Sequence, residues 1–181
     1  MANGRPIIWA PQPGPQTALL LCPIDDVFFG GARGGGKSDG LLGDWLMHLN
    51  SNKEHARGLF FRKTYPELSE VWSRAMEIFP HTGADANKSE MTFTWQAGAR
   101  LEFRYLENDD DAARYQGKSV SWEAFDELGN FTSFGPIDKL YAILRSAHGA
   151  RCVRRSAGNP GGPLTQQIRE RYIDPAPPLV P

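Results

Sequence analysis

The apolar residues of this chain fall into short runs separated by helical spacings. Val27-Phe28-Phe29 reads as a buried strand, and after Ser38 the apolar residues recur at Leu41, Leu42, Trp45, Leu46 and Leu49, one face of a helix. Residues 58–62 (Gly-Leu-Phe-Phe-Arg) form a second short run. The helix predicted after it opens with Thr64 and Glu67 at capping-box spacing around Pro66, and buries Leu68, Val71, Trp72, Ala75, Met76 and Phe79. Residues 80–90 are polar and read as a connection. Residues 91–95 and 100–105 alternate about Ala97-Gly98 and predict a β-hairpin, with Arg100, Glu102 and Arg104 on one solvated face. Residues 120–125 predict a strand ending in Asp126-Glu127, Pro136 opens a helix with its face at Ile137, Leu140, Tyr141 and Leu144, and residues 152–157 predict a further strand ending at Gly158-Asn159-Pro160. Strands alternating with helices predict an α/β fold around a mostly parallel central sheet, with the hairpin at 91–105 as an insert.

Composition narrows the setting. The chain has 181 residues, 40% of them hydrophobic, enough for one folded domain with its own core. Its 20 basic and 21 acidic residues leave a net charge of −1, so no strongly basic balance advertises nucleic acid. Cys22 and Cys152 lack metal-ligand spacing, and together with the absence of a leader or a bilayer-length apolar stretch they point to a reduced, cytoplasmic protein without membrane contact. Asn108-Asp109-Asp110-Asp111 reads as the acidic first turn of a helix; four neighbours in a row cannot all face one ion. Residues 1–16, with prolines at 6, 11, 13 and 15, read as an irregular arm. Residues 17–172 read as the domain and residues 173–181 as the start of a proline-rich linker.

The chemistry concentrates at strand ends. Gly30-Gly31-Ala32-Arg33-Gly34-Gly35-Gly36-Lys37-Ser38 fits GxxxxGKS between a strand and a helix. Glycines let backbone amides wrap a phosphate chain, and the following helix turns its free amides toward the same anion. Lys37 is placed to reach the β- and γ-phosphates of a nucleotide and the Ser38 hydroxyl to ligate magnesium. Asp126 and Glu127 complete a Walker B arrangement, in which Asp126 orients the metal and Glu127 activates the attacking water. Glu123, inside the same strand, requires a partner that the sequence does not name. Gln16 admits two readings: an amide offering donor and acceptor to an adenine edge, or the start of a short helix over residues 17–21. Asn159 is either a turn asparagine or a polar side chain held at the end of the strand.

In this order, Gln16, the glycine loop, Asp126-Glu127 and Ser156-Ala157-Gly158-Asn159-Pro160 make the chain resemble the ATPase domain of large terminase subunits, the DNA-packaging motors of tailed bacteriophages. Pro13-Gly14-Pro15-Gln16 is similar to that family's adenine-recognition motif, and the loop carries Arg33 where the family has an arginine. Residues 61–68 and Tyr115-Gln116-Gly117 are likewise similar to family segments, and residues 156–160 to the motif that senses the γ-phosphate. The resemblance implies an additional-strand (ASCE) P-loop NTPase fold and hydrolysis of ATP with Mg2+. The nucleotide is held by Gln16, Gly31, Ala32, Arg33, Gly34, Gly35, Gly36, Lys37, Ser38 and Asn159, the metal by Ser38 and Asp126, and catalysis falls to Glu127, Arg33 and Lys37. It further implies translocation of double-stranded DNA into a procapsid, a homo-oligomeric ring, and a portal and small terminase subunit as partners. The family's nuclease domain has no counterpart in this sequence, so no DNA cleavage is expected. Where some relatives carry an arginine acting on a neighbour's nucleotide, this chain has Gln116; Arg114 and Arg145 are the alternatives, each equally readable as ordinary surface pairing. A helicase or recombinase-like ATPase, or a nucleotide-binding regulatory module with little turnover, are the competing functional readings.

Overall fold

The computed structural model describes residues 7–175. The first six residues of the arm and residues 176–181 of the linker lie outside that range.

Seven strands build one sheet: β1 (Asp26–Gly30), β2 (Arg57–Arg62), β3 (Ala84–Asn87), β4 (Thr92–Trp95), β5 (Arg100–Tyr105), β6 (Trp122–Phe125) and β7 (Val153–Gly158), in the order β1-β7-β6-β2-β5-β4-β3. The first five in that order run parallel, and β4 and β3 close the edge antiparallel. The mostly parallel sheet expected from the sequence is therefore present. An additional strand, β7, separates β1 from β6, which is the arrangement that names the additional-strand fold. The hairpin is also present, and its second strand pairs along its length with β2, so it extends the central sheet itself. Part of the expected connection at 80–90 instead forms β3, because Ala84 and Ala86 supply small inward residues opposite Trp95 and Phe93.

Among the described residues six α-helices accompany the sheet: α1 (Pro15–Leu20), α2 (Lys37–Asn52), α3 (Tyr65–Ile78), α4 (Asp109–Ala113), α5 (Gly135–Lys139) and α6 (Thr165–Ile168). The Thr64–Glu67 capping box forms at the start of α3, and the Asn108 side chain caps α4. The period-2 alternation of the strands sorts side chains to two cores. Phe60, Trp122 and Ala124 pack with Leu41, Trp45, Leu68 and Trp72 of α2 and α3, whereas Leu59, Phe61 and Phe125 pack with Phe131, Ile137, Leu140 and Leu164 on the opposite face. Helices cover both faces, as a parallel sheet requires.

The partner of Glu123 is Arg154, paired in register on β7, with Arg154 Nε donating to Glu123 Oε1 at 2.6 Å and both side chains fully buried. Burial pushes the Glu123 carboxyl up to about 7, against the opposing pull of Arg154. The Arg154 guanidinium lies 3.5 Å over the Tyr141 ring and donates to the Ile137 carbonyl. Next along the strand, Arg155 points to the other face and donates to Asp44 of α2 at 3.1 Å, whose second oxygen accepts from the Trp122 indole at 2.7 Å.

Candidate functional site

Because β1, β7, β6 and β2 are parallel, their C-terminal ends lie along one edge, where open α/β sheets bind ligands. The glycine loop follows β1, Asn159 follows β7, Asp126 and Glu127 follow β6, and Arg62 ends β2. The loop, Asn159, Glu127 and Arg62 border an open cleft of about 800 Å³, and Asp126 lies buried beneath it. Among the described residues no cluster of three or more His, Cys, Asp or Glu side chains suits a metal ion, so a cation here would rest on a mixed oxygen set.

Gly36 precedes α2 with φ at 66°, and a Cβ there would lie 2.5 Å from Gln16 Nε2. Only glycine fits both demands. Gln16 is buried; its Nε2 donates to the Gly36 carbonyl and its Oε1 accepts from the Gln12 amide, both at 2.7 Å. One end of the amide thus braces the glycine loop and the other the N-terminal arm. Lys37, at the first turn of α2, folds back along the loop and donates to the carbonyls of Gly31 at 3.2 Å and Ala32 at 2.7 Å. Its third bond runs to Asn159 Oδ1 at 2.6 Å. Arg33, Gly34 and Gly35 are exposed and border the cleft.

Asn159 also donates through Nδ2 to both Glu127 oxygens, at 2.9 and 3.2 Å. One amide therefore links the loop lysine to the carboxylate beyond β6. Glu127 adopts φ 52° and ψ 45°, a left-handed conformation that costs a non-glycine residue about 1 kcal/mol or more. That backbone turn carries its carboxylate to the cleft while Asp126, one residue earlier, stays buried.

Asp126 Oδ2 accepts from Ser38 Oγ at 2.7 Å, so the two residues expected to share a metal touch each other. Both offer hard oxygen ligands of the kind magnesium takes, and Asp126 Oδ1 receives only the Glu127 amide at 3.1 Å. The donor chemistry fits the metal. Sequence reasoning gave Arg62 no role at this point. Its Nε and Nη2 both donate to Asp126 Oδ2, at 2.8 and 2.6 Å, and Nη2 also reaches Ser38 Oγ at 3.2 Å. Nη1 donates to the Glu67 carbonyl at 2.9 Å and to Glu70 Oε2 at 3.2 Å. Burial alone would lower the Arg62 pKa, but the carboxylates of Asp126, Glu70 and Glu127 together raise it. The available signal was a basic residue ending a strand two positions from β7 in a parallel sheet.

Neither Arg114 nor Arg145 borders the cleft. Arg114 is exposed and pairs with Asp111 at 3.1 Å, and Arg145 donates to Ser119 Oγ at 3.0 Å and to the Val120 carbonyl, at the N-terminal end of β6 and thus the far end of the sheet. No helix among the described residues is long and apolar enough to cross a membrane.

No family model matches the sequence, and no curated protein matches it. Solved structures do. The large terminase of a thermophilic bacteriophage superposes with a TM-score of 0.69 at 17% identity over 88% of this chain, and its complex with ADP at 0.66 and 15%. A Thermus phage large terminase ATPase domain matches at 0.56 and 15% over 82% of this chain and 65% of its own. The Phi-29 viral genome packaging motor matches at 0.55 and 19% over 81% of this chain and 46% of its own. The chain spans 41% of the length of the thermophilic phage terminase. With a seven-stranded, mostly parallel sheet and an additional strand between β1 and β6, it shares the fold of the ATPase domains of large terminases.

Proposed function

We propose that this chain hydrolyses ATP and is the motor domain of a machine that moves double-stranded DNA into a procapsid. One observation carries the reading: Asn159 holds Lys37 and Glu127 together at the parallel strand ends, beside the contact between Ser38 and Asp126. In this reading Lys37 exchanges the Gly31 and Ala32 carbonyls for phosphate oxygens, and the loop amides replace water around the phosphate chain. Ser38 and Asp126 would hold magnesium, which would supply charge neutralisation at the phosphates. Glu127 takes the proton of the water attacking the γ-phosphorus as the bond to the β–γ bridging oxygen breaks and ADP leaves, and Arg33 places positive charge beside the γ-phosphoryl group from its own loop. Gln16 meets adenine by trading the Gln12 amide for the base edge, with its second amide hydrogen left for N7. Residues 17–172 form the working domain, with the N-terminal arm supplying Gln16. Support comes from the fold shared with large terminases, one of them solved in complex with ADP, and with the Phi-29 motor.

The test compares wild type with Glu127→Gln. Binding of a fluorescent ATP analogue should survive while phosphate release falls by about a hundredfold or more, and wild-type turnover should rise on adding double-stranded DNA. A chain that binds no nucleotide, or a Glu127→Gln variant that hydrolyses at the wild-type rate, overturns the reading.

A further inference from the structure

The mechanism above leaves Arg62 unused, although it is the most heavily bonded cation at the cleft. Asp126 Oδ2 already receives three donors, from Ser38 Oγ and from Nε and Nη2 of Arg62. Three donors crowd that oxygen, so a metal ion can take it only by displacing one of them. A guanidinium and a divalent cation drawn to one oxygen also repel each other strongly in a site with only 1% of the Asp126 side chain exposed. The same arginine has somewhere to go. Nη1 is already tethered to the Glu67 carbonyl and to Glu70, whose side chain is 81% exposed at the cleft rim.

We propose that Arg62 is a built-in competitor for the divalent cation: its guanidinium occupies the Ser38–Asp126 position in the metal-free protein and must swing toward Glu70 before the metal seats. The proposal deepens the nucleotide reading and rests on it for the assignment of Ser38 and Asp126 to the metal. It gives the exchange a direction. The metal alone has to displace a fixed charge into the cleft, whereas phosphates arriving with the metal offer the displaced guanidinium an anion. Metal and nucleotide therefore enter together, and Arg62 is a positioning residue that holds the Asp126 carboxylate aligned with Ser38 between cycles.

The experiment needs no nucleotide and no turnover. Wild type, Arg62→Gln, Arg62→Lys and Lys63→Gln are each titrated with Mn2+ alone, with free Mn2+ followed by electron paramagnetic resonance. Arg62→Gln should bind about tenfold tighter than wild type, since a competitor in place nine-tenths of the time raises the apparent dissociation constant by that factor. Lys63→Gln removes an equal charge one residue away and should gain far less. Equal tightening in both variants reduces Arg62 to background charge and overturns the proposal; unchanged or weaker binding in Arg62→Gln, or no Mn2+ binding to any of the four proteins, overturns it too. If circular dichroism shows Arg62→Gln unfolded, Arg62→Lys carries the same expectation, because it keeps the charge and loses the two-pronged grip. Titration of wild type with a fluorescent ATP analogue reads the nucleotide site separately. Failure there with tightened Mn2+ binding sinks the nucleotide reading and leaves the exchange standing; normal nucleotide binding with unchanged Mn2+ binding sinks the exchange alone.

Discussion

Replacing Asn159 by aspartate keeps the side-chain shape and changes only what its nitrogen does. In the present structure Oδ1 takes the Lys37 ammonium at 2.6 Å while Nδ2 donates to Glu127 at 2.9 Å. In Asn159→Asp the Lys37 contact becomes an ion pair, whereas the donor to Glu127 becomes a second carboxylate. The lost charge-assisted bond is worth about 1.5–3 kcal/mol. Two like charges about 3 Å apart at an effective dielectric near 20 repel by about 5 kcal/mol, so Glu127 leaves its present position. Releasing Lys37 to phosphate becomes harder by about 2 kcal/mol, roughly a thirtyfold weaker ATP affinity, and turnover falls by about a hundredfold or more as the base is displaced. Asn159→Ala, by contrast, unties Lys37: affinity stays level or tightens, while turnover still drops because Glu127 loses its guide. Fluorescence titration with a non-hydrolysable analogue and a phosphate-release assay on the same preparations separate the two. The reasoning is refuted if Asn159→Asp binds and hydrolyses like wild type, or if the two variants shift affinity in the same direction.

Lys37→Ala should abolish nucleotide binding, and calorimetry showing unaltered affinity would remove it from the phosphate site. Ser38→Ala and Asp126→Ala act on one shared contact, so the double variant should lose far less than the product of the two single losses in a phosphate-release assay; full multiplicativity counts against a shared metal. Burial, with smaller contributions from Arg155 and Arg151, lowers the His48 pKa to about 4 from an ordinary 6.5. Its contribution of about 3 kcal/mol is thus present above pH 6.5 and lost as pH falls through 4. Urea unfolding at pH 7.5 and 4.5 should show a smaller acid loss in His48→Phe, and an equal loss in both proteins contradicts the assignment. Glu123→Gln, which strands the buried Arg154 cation, should cost about 3–5 kcal/mol in urea unfolding, whereas Glu123→Leu combined with Arg154→Met should cost far less; equal losses would mean that the charge is not the cause.

Much of the fold was legible because strand and helix periods were clean. The run at Val27, the stripe from Leu68 to Phe79 and the capping box at Thr64 are local signals that tertiary packing reinforces. The cleft's membership was legible for a different reason: a glycine loop, adjacent carboxylates and a strand-end asparagine each mark a backbone terminus. Which terminus adjoins which depends on strand order, and that is a long-range property. Arg62 escaped notice because β2 precedes β6 by many residues yet neighbours it in the sheet. Arg154 escaped as the partner of Glu123 for the same reason, since their pairing is set by parallel register between strands joined through α5. The strand at 84–87 escaped because four mostly small and polar residues carry no periodic signal, and β4 is what orders them.

The two arginines of β7 have a consequence beyond their own pairing. They face opposite sides of the sheet, Arg154 toward Glu123 and Arg155 toward Asp44. Sliding the strand by one residue would exchange the faces of every side chain and leave at least one buried carboxylate without its cation. Apolar strands tolerate such slips more easily, because one branched side chain substitutes for another. Here the penalty for misalignment is electrostatic and falls on one layer or the other whichever way the strand moves, so the strand carries its own ruler. What the ruler measures is the position of Asn159, the residue immediately after the strand's last glycine. One step of slip is about 3.3 Å, enough to take the amide out of reach of Lys37 and Glu127 together. Charges deep in the sheet thereby set the tolerance of a contact at its edge.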